Sequence, residues 1–412
     1  MTWTVAGREF FTTSTVAEAL ASFRPRRRTP GVAVELGQAS GAIPVDDVPA
    51  PAPLPGFARS TVDGYAVRAL DTYGATDSVP AYLELRGAVR MGAAPETDVR
   101  PGASVAVPTG GAIPPGADAV VMVEHTQVGV PGTVEVTRAV APGEGLVAAD
   151  EDVTGGGVLV RAGRPLRPQD LGLLAAAGVT SVVVHRRPRV ALVATGDEVV
   201  EGETPQLRVG QVRDAITPAL AALVVEAGGV PLSHGIVGDD ARVLEATLRG
   251  AVADSDVVVV SAGSSVGGRD ETAAAVAALG PPGIHLHGLA IRPGKPTLLA
   301  EAGDVPVVGL PGNPLSALVV FRLMGMPLVR LVGGWRVQPT PPTVTARLER
   351  AVPSAAGRLD VVQVAVVDGV ATPLFGASAL LSRMTRAAGY VLVPEEVTGL
   401  DAGAHVTVHT YL

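Results

Sequence analysis

The stretch "VVVVSAGSSVGGRD", residues 257–270, decides how the fold of this sequence is interpreted. Its four valines predict a buried strand, and seven small uncharged residues (261–267) follow before Arg269 and Asp270. A loop without bulky side chains lets backbone N–H groups face an anion, usually a phosphate. We therefore predict a strand that ends at a phosphate-binding loop, with the Asp270 carboxylate beside it.

The region around this stretch alternates between β-type and helical runs. Strands are predicted at "RVALVA", "VPLSHGIV", "DVVVV" and "VPVVGL", and helices at "TPALAALVVEAGG", "DDARVLEATLRGAV", "DETAAAVAAL" and "NPLSALVVFRLM". Alternation at this spacing is typical of parallel βαβ units. Residues 187–332 are therefore expected to form a doubly wound α/β domain. Short β-type runs between Gly/Pro turns predict β-rich regions on both sides, at about residues 42–140 and 343–412.

Polar residues stand where several helices are expected to begin. Thr15 and Glu18 have the spacing of a capping box. Thr217 is expected to cap the helix at "TPALAALVVEAGG", and Asn313, followed by Pro314, is expected to cap the helix at "NPLSALVVFRLM".

The composition excludes several classes of protein. The chain has 412 residues, 47% hydrophobic and 17% charged, so it can fill large cores and is not expected to be disordered. A net charge of −8 argues against binding nucleic acid, which needs clustered cations. The sequence shows no signal peptide, no run of 18 uninterrupted apolar residues and no cysteine. We expect a cytoplasmic protein without a membrane partner, disulfides or thiolate metal sites.

The segments that leave the predicted strand ends of the α/β region carry acids and small residues. They are "ATGDE" (194–198), "VGDD" (237–240), "SAGSSVGGRD" (261–270) and "GLPGNPLSA" (309–317). Open parallel sheets bind ligands outside these carboxyl ends. Carboxylates and a lysine near such loops favour Mg²⁺-assisted phosphoryl or nucleotidyl chemistry, because Mg²⁺ takes carboxylate and phosphate oxygens.

Single residues in these segments carry alternatives. Asp239 and Asp270 stand where a helix N-cap belongs, so capping accounts for them as well as a function does. Glu198 has no such capping role to fill. Lys295 in "RPGKP" is a rigidly placed cation suited to an anion, and a plain surface turn is the alternative. The two histidines of "HLH" (285–287) would share a strand face, but without a third ligand they make a poor metal site.

Two longer motifs, "RSTVDGYAV" (59–67) and "PTGGAIPPGADAVVMVEHT" (108–126), carry a resemblance to a known family. With "ATGDEVV", "GLPGNPLSAL" and "IRPGKP", the chain resembles the molybdopterin molybdotransferases, the MoeA and gephyrin E-domain family, over nearly its whole length. The resemblance implies four domains. They are a discontinuous helical and extended domain (1–44 with 145–186), a β-rich inserted domain (45–144), the α/β molybdopterin-binding domain (187–332) and a C-terminal β-barrel-like domain (336–412).

The resemblance also implies an activity. Members of this family insert molybdate into adenylylated molybdopterin, release AMP and require Mg²⁺. The family further implies a homodimer with the active site at the subunit interface, where the "VDGYA" and "TGG" region of one chain faces the α/β domain of the other. An adenylyltransferase and molybdoenzymes are the implied protein partners.

Functional residues follow from the resemblance by position. The implied catalytic residues are Asp63, Thr109, Glu198, Asp270 and Lys295. The implied metal ligands are Asp152, Glu198, Asp239 and Asp270. The implied substrate-binding residues are Gly263, Ser264, Ser265, Gly267, Arg292, Pro311, Gly312, Asn313, Pro314, Ser316, Arg358 and Ser382.

Several positions depart from the family's pattern. Gly268 stands at the first acid after the glycine–serine loop, and Val147 stands where an arginine is usual. Asp150 replaces a glycine, and "DAI" (214–216) replaces "DSN". Arg292 replaces a lysine, which keeps the charge but changes a compact ammonium into a planar fork.

Two alternatives therefore stay open beside the enzyme. One is a catalytically weakened paralogue that acts as a pterin-nucleotide-binding or scaffold protein, which the changes at Gly268 and Val147 would allow. The other is a different Mg²⁺-dependent enzyme of a phosphorylated nucleotide, because α/β loops of this kind serve many reactions.

Overall fold

The computed structural model describes residues 13–261 and 268–411, and the strand pair Thr4–Val5 and Arg8–Glu9 before them. For residues 268–270 and for that first strand pair, the description extends to the backbone only. The chain divides into two compact units, one of Met1–Val32 with Val184–Leu412 and the other of Ala33–Val183. The predicted loop residues Gly263, Ser264, Ser265 and Gly267 lie outside the described residues.

A six-stranded sheet forms the centre of the larger unit. Its strands, in spatial order, are Val230–Val237, Arg189–Thr195, Val257–Ser261, Val305–Leu310, Leu298–Ala302 and Pro282–His287. The first four run parallel, as the alternating pattern predicts. The last two are antiparallel to their neighbours, because residues 303–304 make a tight turn that reverses the chain. The predicted doubly wound sheet is confirmed, with an antiparallel edge that the sequence analysis missed.

Helices cover both faces of this sheet. Successive residues of the strand Val257–Ser261 alternate between two hydrophobic cores, as the two-residue period of a strand requires. One core contains the helix Ile216–Glu226 and the helical residues 314–332, and the other contains Ala241–Asp254 and Gly268–Ala277. Burial on both faces explains why the central strands are continuous hydrophobic runs.

The first turns of two helices test the predicted caps. The capping box of Thr15 and Glu18 is confirmed, because the backbone N–H of each residue donates to a side-chain oxygen of the other, at 2.9 Å to Glu18 Oε2 and 3.1 Å to Thr15 Oγ1. The prediction for Thr217 is wrong, because the helix begins at Ile216 and Thr217 is its second residue. Asp214 Oδ1 caps it instead and accepts the backbone N–H groups of Ile216 and Thr217 at 2.9 and 3.0 Å.

The helical residues 314–332 consist of Pro314–Val320, a π-helical turn Phe321–Gly325 and Met326–Val332. By length and composition this stretch could cross a membrane, but 72% of its apolar window is buried inside the protein. Its side chains belong to the core beneath the central sheet. It is therefore the core helix of this unit.

A closed β-barrel forms the C-terminal part of the same unit. Its strands, in spatial order, are Leu359–Val367, Val370–Pro373, Thr343–Leu348, His405–Thr410 and Gly389–Val393, and the last pairs back with the first. The short strand Ile291–Arg292 joins this barrel by pairing in parallel with Leu359 and Asp360. The predicted barrel-like domain is confirmed, and this pairing brings Arg292 beside it.

The unit Ala33–Val183 contains a second six-stranded sheet, as its β-rich pattern predicts. Its strands, in spatial order, are Thr126–Gln127, Thr133–Val136, Ala81–Ala88, Ala103–Val107, Gly64–Val67 and Ala119–Met122. The boundaries predicted between the four domains remain predictions. The remaining elements are Val16–Ser22, Gly31–Glu35, Leu36–Gln38, Val48–Pro49, Arg59–Ser60, Ala69–Thr72, Val123–His125, Leu146–Val147, Val158–Val160, Pro168–Ala176, Ser181–His185, Val199–Val200, Val212–Arg213, Val352–Pro353, Ser382–Arg386 and Gly399–Leu400.

Candidate functional site

Two acidic loops meet where neighbouring parallel strands of the central sheet end. Asp197 and Glu198 follow the strand Arg189–Thr195, and Asp239 follows the strand Val230–Val237. The backbone N–H of Asp239 donates to Asp197 Oδ1 at 2.9 Å. The fold thus brings the predicted residues Glu198 and Asp239 together and adds Asp197. We call these three residues the acidic loop pair.

Glycines make this arrangement sterically accessible. Gly196 has φ +133°, and a Cβ atom there would lie 2.8 Å from a carboxylate oxygen of Glu198. A Cβ atom at Gly238 would lie 2.7 Å from Asp197 Oδ1. The glycines of "TGDE" and "VGDD" therefore leave room for carboxylates that fold back over their own loops.

Asp239 is not a helix cap. Asp240 caps the helix Ala241–Asp254 instead, because its side chain accepts two backbone N–H groups of the first turn at 2.9 and 3.2 Å. Burial raises the pKa of the Asp239 carboxyl, and the charges of Asp197 and Glu198 raise it further. The carboxylate remains accessible to solvent at one side, lies near two others and caps no helix, so it is suited to binding a cation.

The predicted metal ligands do not form a complete set in the described part of the chain. No group of three His, Asp or Glu side chains there has the arrangement of a metal site. Asp270 is the third residue of the helix that begins at Gly268, so it is not the residue before the helix, as an N-cap would be. The Asp270 side chain lies outside the described residues. The backbone N–H of Asp152, in the other unit, donates to Leu54 O, and its side chain is exposed.

A cavity of about 760 Å³ lies in the larger unit, between the segment 289–296, the start of the helix at Pro314 and the barrel. It is lined by six of the predicted residues, which are Arg292, Lys295, Pro311, Asn313, Ser316 and Arg358. The predicted residues Gly312 and Pro314 neighbour the lining, and Ser382 is exposed. We call this space the cationic cavity. Lys295 is the only lysine in the chain, whose other cationic residues are all arginines.

The cations of this cavity differ in their partners. Arg358 Nε donates to the buried carboxylate of Asp360 at 2.8 Å, and Arg292 lies 3.8 Å from the same carboxylate. Lys295 is exposed, and no acidic group of the described residues lies within 4 Å of its ammonium. One carboxylate thus serves two arginines, while the lysine charge is left for a bound anion.

Gly294 fixes the position of Lys295. Its φ is +126°, and a Cβ atom there would lie 2.4 Å from Val320 Cγ2 in the core helix. The backbone of Lys295 is held on the other side, because its carbonyl accepts the N–H groups of Leu289 and Thr297, both at 2.9 Å. The segment "RPGKP" is therefore packed against the core and is not a loose surface turn.

Asn313 occupies the N-cap position of the core helix, as predicted, but its side chain makes no capping hydrogen bond. Pro314 is the first helical residue and has no N–H to cap. The next N–H group, of Leu315, donates to the carbonyl of Ser378 at 3.2 Å. The Asn313 side chain lines the cavity, where it can bind a ligand.

Arg383 holds the barrel edge of the cationic cavity. Its guanidinium donates to the carbonyls of Leu374, Gly376 and Ala377, at 2.7 Å from Nε to Leu374 and 2.5 Å from Nη1 to Gly376. The side chain is buried, and burial lowers the pKa of this arginine. Arg383 therefore holds the carbonyls of Gly376 and Ala377 within the lining segment 375–378. The Ser378 carbonyl of the same segment is held by the core helix through the N–H of Leu315.

In the other unit, Asp63 and Thr109 are neighbours. Asp63 Oδ1 accepts the backbone N–H of Thr109 at 2.8 Å, and both side chains are exposed. Val147, which lacks the arginine usual in the family, pairs across its strand with Arg59. Arg59 therefore carries a guanidinium on the neighbouring strand, opposite the position at which the resemblance implies an arginine.

Asp197 and Arg383 are not among the residues predicted from the sequence. Asp197 could have been found from its place between Gly196 and Glu198 in a strand-end loop. Arg383 gave no such signal, because nothing in "LLSRMTRAAG" shows that one of its arginines folds inward.

Comparisons with known families decide the relationship. The model of the MoeA N-terminal region (domains I and II) matches residues 14–178, that of a probable molybdopterin-binding domain matches residues 191–331, and that of the MoeA C-terminal region (domain IV) matches residues 345–411. The chain belongs to the MoeA family. Glu198, Asp239 and Lys295 fall in the second match, and Arg358 and Arg383 in the third.

MoeA relatives resemble this chain over nearly its whole length. A molybdopterin molybdenumtransferase 2 from Mycobacterium tuberculosis is 33% identical over 95% of this chain and 96% of the relative. A molybdopterin molybdenumtransferase from Nostoc is 36% identical over 73% of this chain and 69% of its own length. A crystal structure of a MoeA molybdopterin biosynthesis protein from Pyrococcus horikoshii matches with a TM-score of 0.82 and 28% identity, covering 97% of this chain and all of the solved one.

Proposed function

We propose that this MoeA-family protein is a molybdopterin molybdenumtransferase of molybdenum cofactor biosynthesis. In the proposed reaction, molybdate is inserted into adenylylated molybdopterin and AMP is released, with Mg²⁺ required. The observation that carries the proposal is the position of Lys295. The single lysine of the chain, without an acidic partner among the described residues, lines a cavity of about 760 Å³ together with Arg292 and Arg358.

The chemistry of the residues supports this reaction. A protein without cysteine offers molybdenum no thiolate, so the sulfur ligands must come from the dithiolene of the substrate. The protein then has to bind oxyanions and phosphates, and Lys295, Arg292 and Arg358 supply the charge for that. We assign Lys295 to molybdate or to a phosphate of the pterin nucleotide.

The acidic loop pair fits a divalent cation. Glu198 and Asp239 are oxygen donors of the kind Mg²⁺ prefers. Partial burial, and then the charges of Asp197 and Glu198, raise the pKa of Asp239, and a cation bound between these carboxylates would relieve that repulsion. We assign Glu198 and Asp239, with Asp270 as the third carboxylate, to Mg²⁺ binding. Bound Mg²⁺ would neutralise charge on the pyrophosphate of the substrate.

Asp63, Thr109 and Asp152 are assigned by family position to the same reaction, acting across the interface of a homodimer. Asp63 would orient the Thr109 backbone through the hydrogen bond described above. We further propose a cytoplasmic location, with an adenylyltransferase that supplies the substrate and molybdoenzymes that accept the product.

The scaffold alternative predicts a different set of results. A protein that only binds would take up pterin nucleotide without releasing AMP, and Asp270→Asn would leave that binding unchanged. The enzyme predicts AMP release that depends on molybdate, on Mg²⁺ and on Lys295. Measuring AMP by chromatography, together with nucleotide binding by calorimetry, separates the two.

A further inference from the structure

A second cavity, of about 570 Å³, lies in the larger unit and shares no lining residue with the cationic cavity. Its wall is formed by the first helix, the core helix, the segment 338–342 and the C-terminal end of the barrel. None of the residues assigned to the transferase reaction lines it. We call it the arginine cavity.

The charges of this cavity do not balance. Three arginines line it, Arg24, Arg322 and Arg330, against one acid, Glu226. Arg322 uses that acid fully, since its two terminal nitrogens donate to the two carboxylate oxygens at 2.9 and 3.2 Å. This excess of positive charge occurs in a protein whose net charge is −8.

Arg330 is the cation without a counter-ion. Within the described part of the chain, no acidic oxygen lies within 4 Å of its guanidinium, and its buried Nε has no hydrogen-bond partner. It packs instead over the ring of Trp335, with 5.6 Å between the guanidinium carbon and the ring centroid. Burial lowers the pKa of Arg330, and the more distant charge of Glu226 only partly opposes this effect, while that of Arg322 adds to it. A half-buried cation is costly unless an anion joins it.

The rest of the lining is apolar. Phe23, Leu323, Met326, Leu328 and Leu331 surround the space beside the arginines. Tyr411 closes one side, with its ring 5.0 Å beneath Arg322 and its hydroxyl donating to Gln363. A ligand must therefore combine a small anionic group with an apolar body.

We propose that the arginine cavity binds an organic monoanion whose carboxylate- or sulfonate-type head pairs with Arg330 and whose apolar body fills the space above the core helix. The site is separate from the transferase site and does not depend on the proposed function. A charge-assisted hydrogen bond to Arg330 should account for at least tenfold in affinity.

Two fluorescent probes with the same ring system test the site. The first is 8-anilinonaphthalene-1-sulfonate, and the second is N-phenyl-1-naphthylamine, which lacks the sulfonate. We expect the folded protein to bind the sulfonate at least tenfold more tightly than the neutral probe. Arg330→Met should abolish that preference, Arg330→Lys should retain most of it, and Arg347→Met, which removes an exposed arginine of the barrel, should leave it unchanged.

Thermal unfolding of each variant shows that it is folded before the titrations are compared. Equal affinities of the wild type for the two probes would overturn the proposal, and so would the absence of binding. An unchanged sulfonate affinity in folded Arg330→Met would do the same. Should Arg330→Met fail to fold, the two other variants decide. Arg330→Lys keeps the charge and Arg347→Met leaves the cavity untouched, so loss of the preference for the sulfonate in both would contradict the site. AMP release is no part of this test, so failure of the transferase proposal leaves it intact.

Discussion

Asp239 and Asp197 are joined by a hydrogen bond of 2.9 Å from the backbone N–H of Asp239 to Asp197 Oδ1. This contact connects two loops that are 42 residues apart in sequence and sets one carboxylate beside another at the end of the central sheet. Glu198 adds a third charge. Partial burial raises the pKa of Asp239, and the charges of Asp197 and Glu198 raise it further. The loops are therefore held in an arrangement that favours a bound cation.

The acidic loop pair should couple stability to Mg²⁺ and to pH. An acid whose pKa is raised by folding costs stability when it is ionised, and that cost is relieved as the pH falls through the raised pKa. Without Mg²⁺, Asp239→Asn should raise the melting temperature by about 1–2 °C at neutral pH, as expected for an exposed charge pair. Adding MgCl₂ should stabilise the wild type more than this variant. Asp401→Asn, an exposed acid of the barrel, is the control, and an equal response of all three proteins to Mg²⁺ would contradict the assignment.

Gly294 should be intolerant of any side chain. Gly294→Ala places a Cβ atom 2.4 Å from Val320 at φ +126°, so both overpacking and backbone strain oppose it. We expect a loss of about 2 kcal/mol or more in the free energy of unfolding, measured in urea, together with weaker anion binding. The matched control is Gly303→Ala, where φ is +63° and no atom lies within 4 Å of the added Cβ. Equal losses in the two variants would show that backbone strain alone is responsible.

Lys295 offers a chemical test that few proteins allow. Because it is the only lysine, an amine-reactive reagent can modify only this side chain and the terminal amine. Inorganic pyrophosphate or AMP should slow the labelling of Lys295 several-fold, as followed by peptide mass spectrometry, because a bound anion would cover the ammonium. Labelling of the terminal amine in the same sample is the internal control. Labelling of Lys295 at an unchanged rate under saturating anion would remove it from the binding site.

Arg383 should act through the segment 375–378. Arg383→Met leaves three carbonyls without their donor, so we expect a loss of about 2 kcal/mol or more in stability and a KM for the pterin nucleotide raised about tenfold, with a smaller change in kcat. Arg383→Lys should restore part of the KM, because an ammonium can still donate to these carbonyls. The neighbouring exposed residue supplies the control, Arg386→Met. A variant that is less stable but has an unchanged KM would limit Arg383 to a structural role.

Much of the fold follows from local patterns. Buried apolar runs such as the valines 257–260, with a helix between each run and the next, predict parallel strands. The parallel centre of the sheet is confirmed. The antiparallel strand Leu298–Ala302 was missed, although the two residues that reverse the chain, Gly303 and Asp304, are a pair typical of hairpin turns.

The candidate site was harder to predict, because it depends on chain segments that are distant in sequence. Two adjacent acids, Asp239 and Asp240, can exchange the roles of cap and ligand, and a one-residue shift of the helix start decides between them. The cation at Lys295 could be inferred from "RPGKP" alone. Its neighbour Arg358 could be placed there only by the family resemblance, since the barrel that carries it begins some 50 residues later along the chain.

The most direct test of the central claim is AMP release from adenylylated molybdopterin by the purified protein, with molybdate and Mg²⁺ present. We expect the wild type to release AMP, and Lys295→Met to bind the nucleotide more weakly and to release at least a hundredfold less. Asp270→Asn should likewise lose release. Tight binding of the nucleotide by the wild type without any release of AMP would contradict the account and leave a protein that binds the pterin nucleotide without transferring molybdenum.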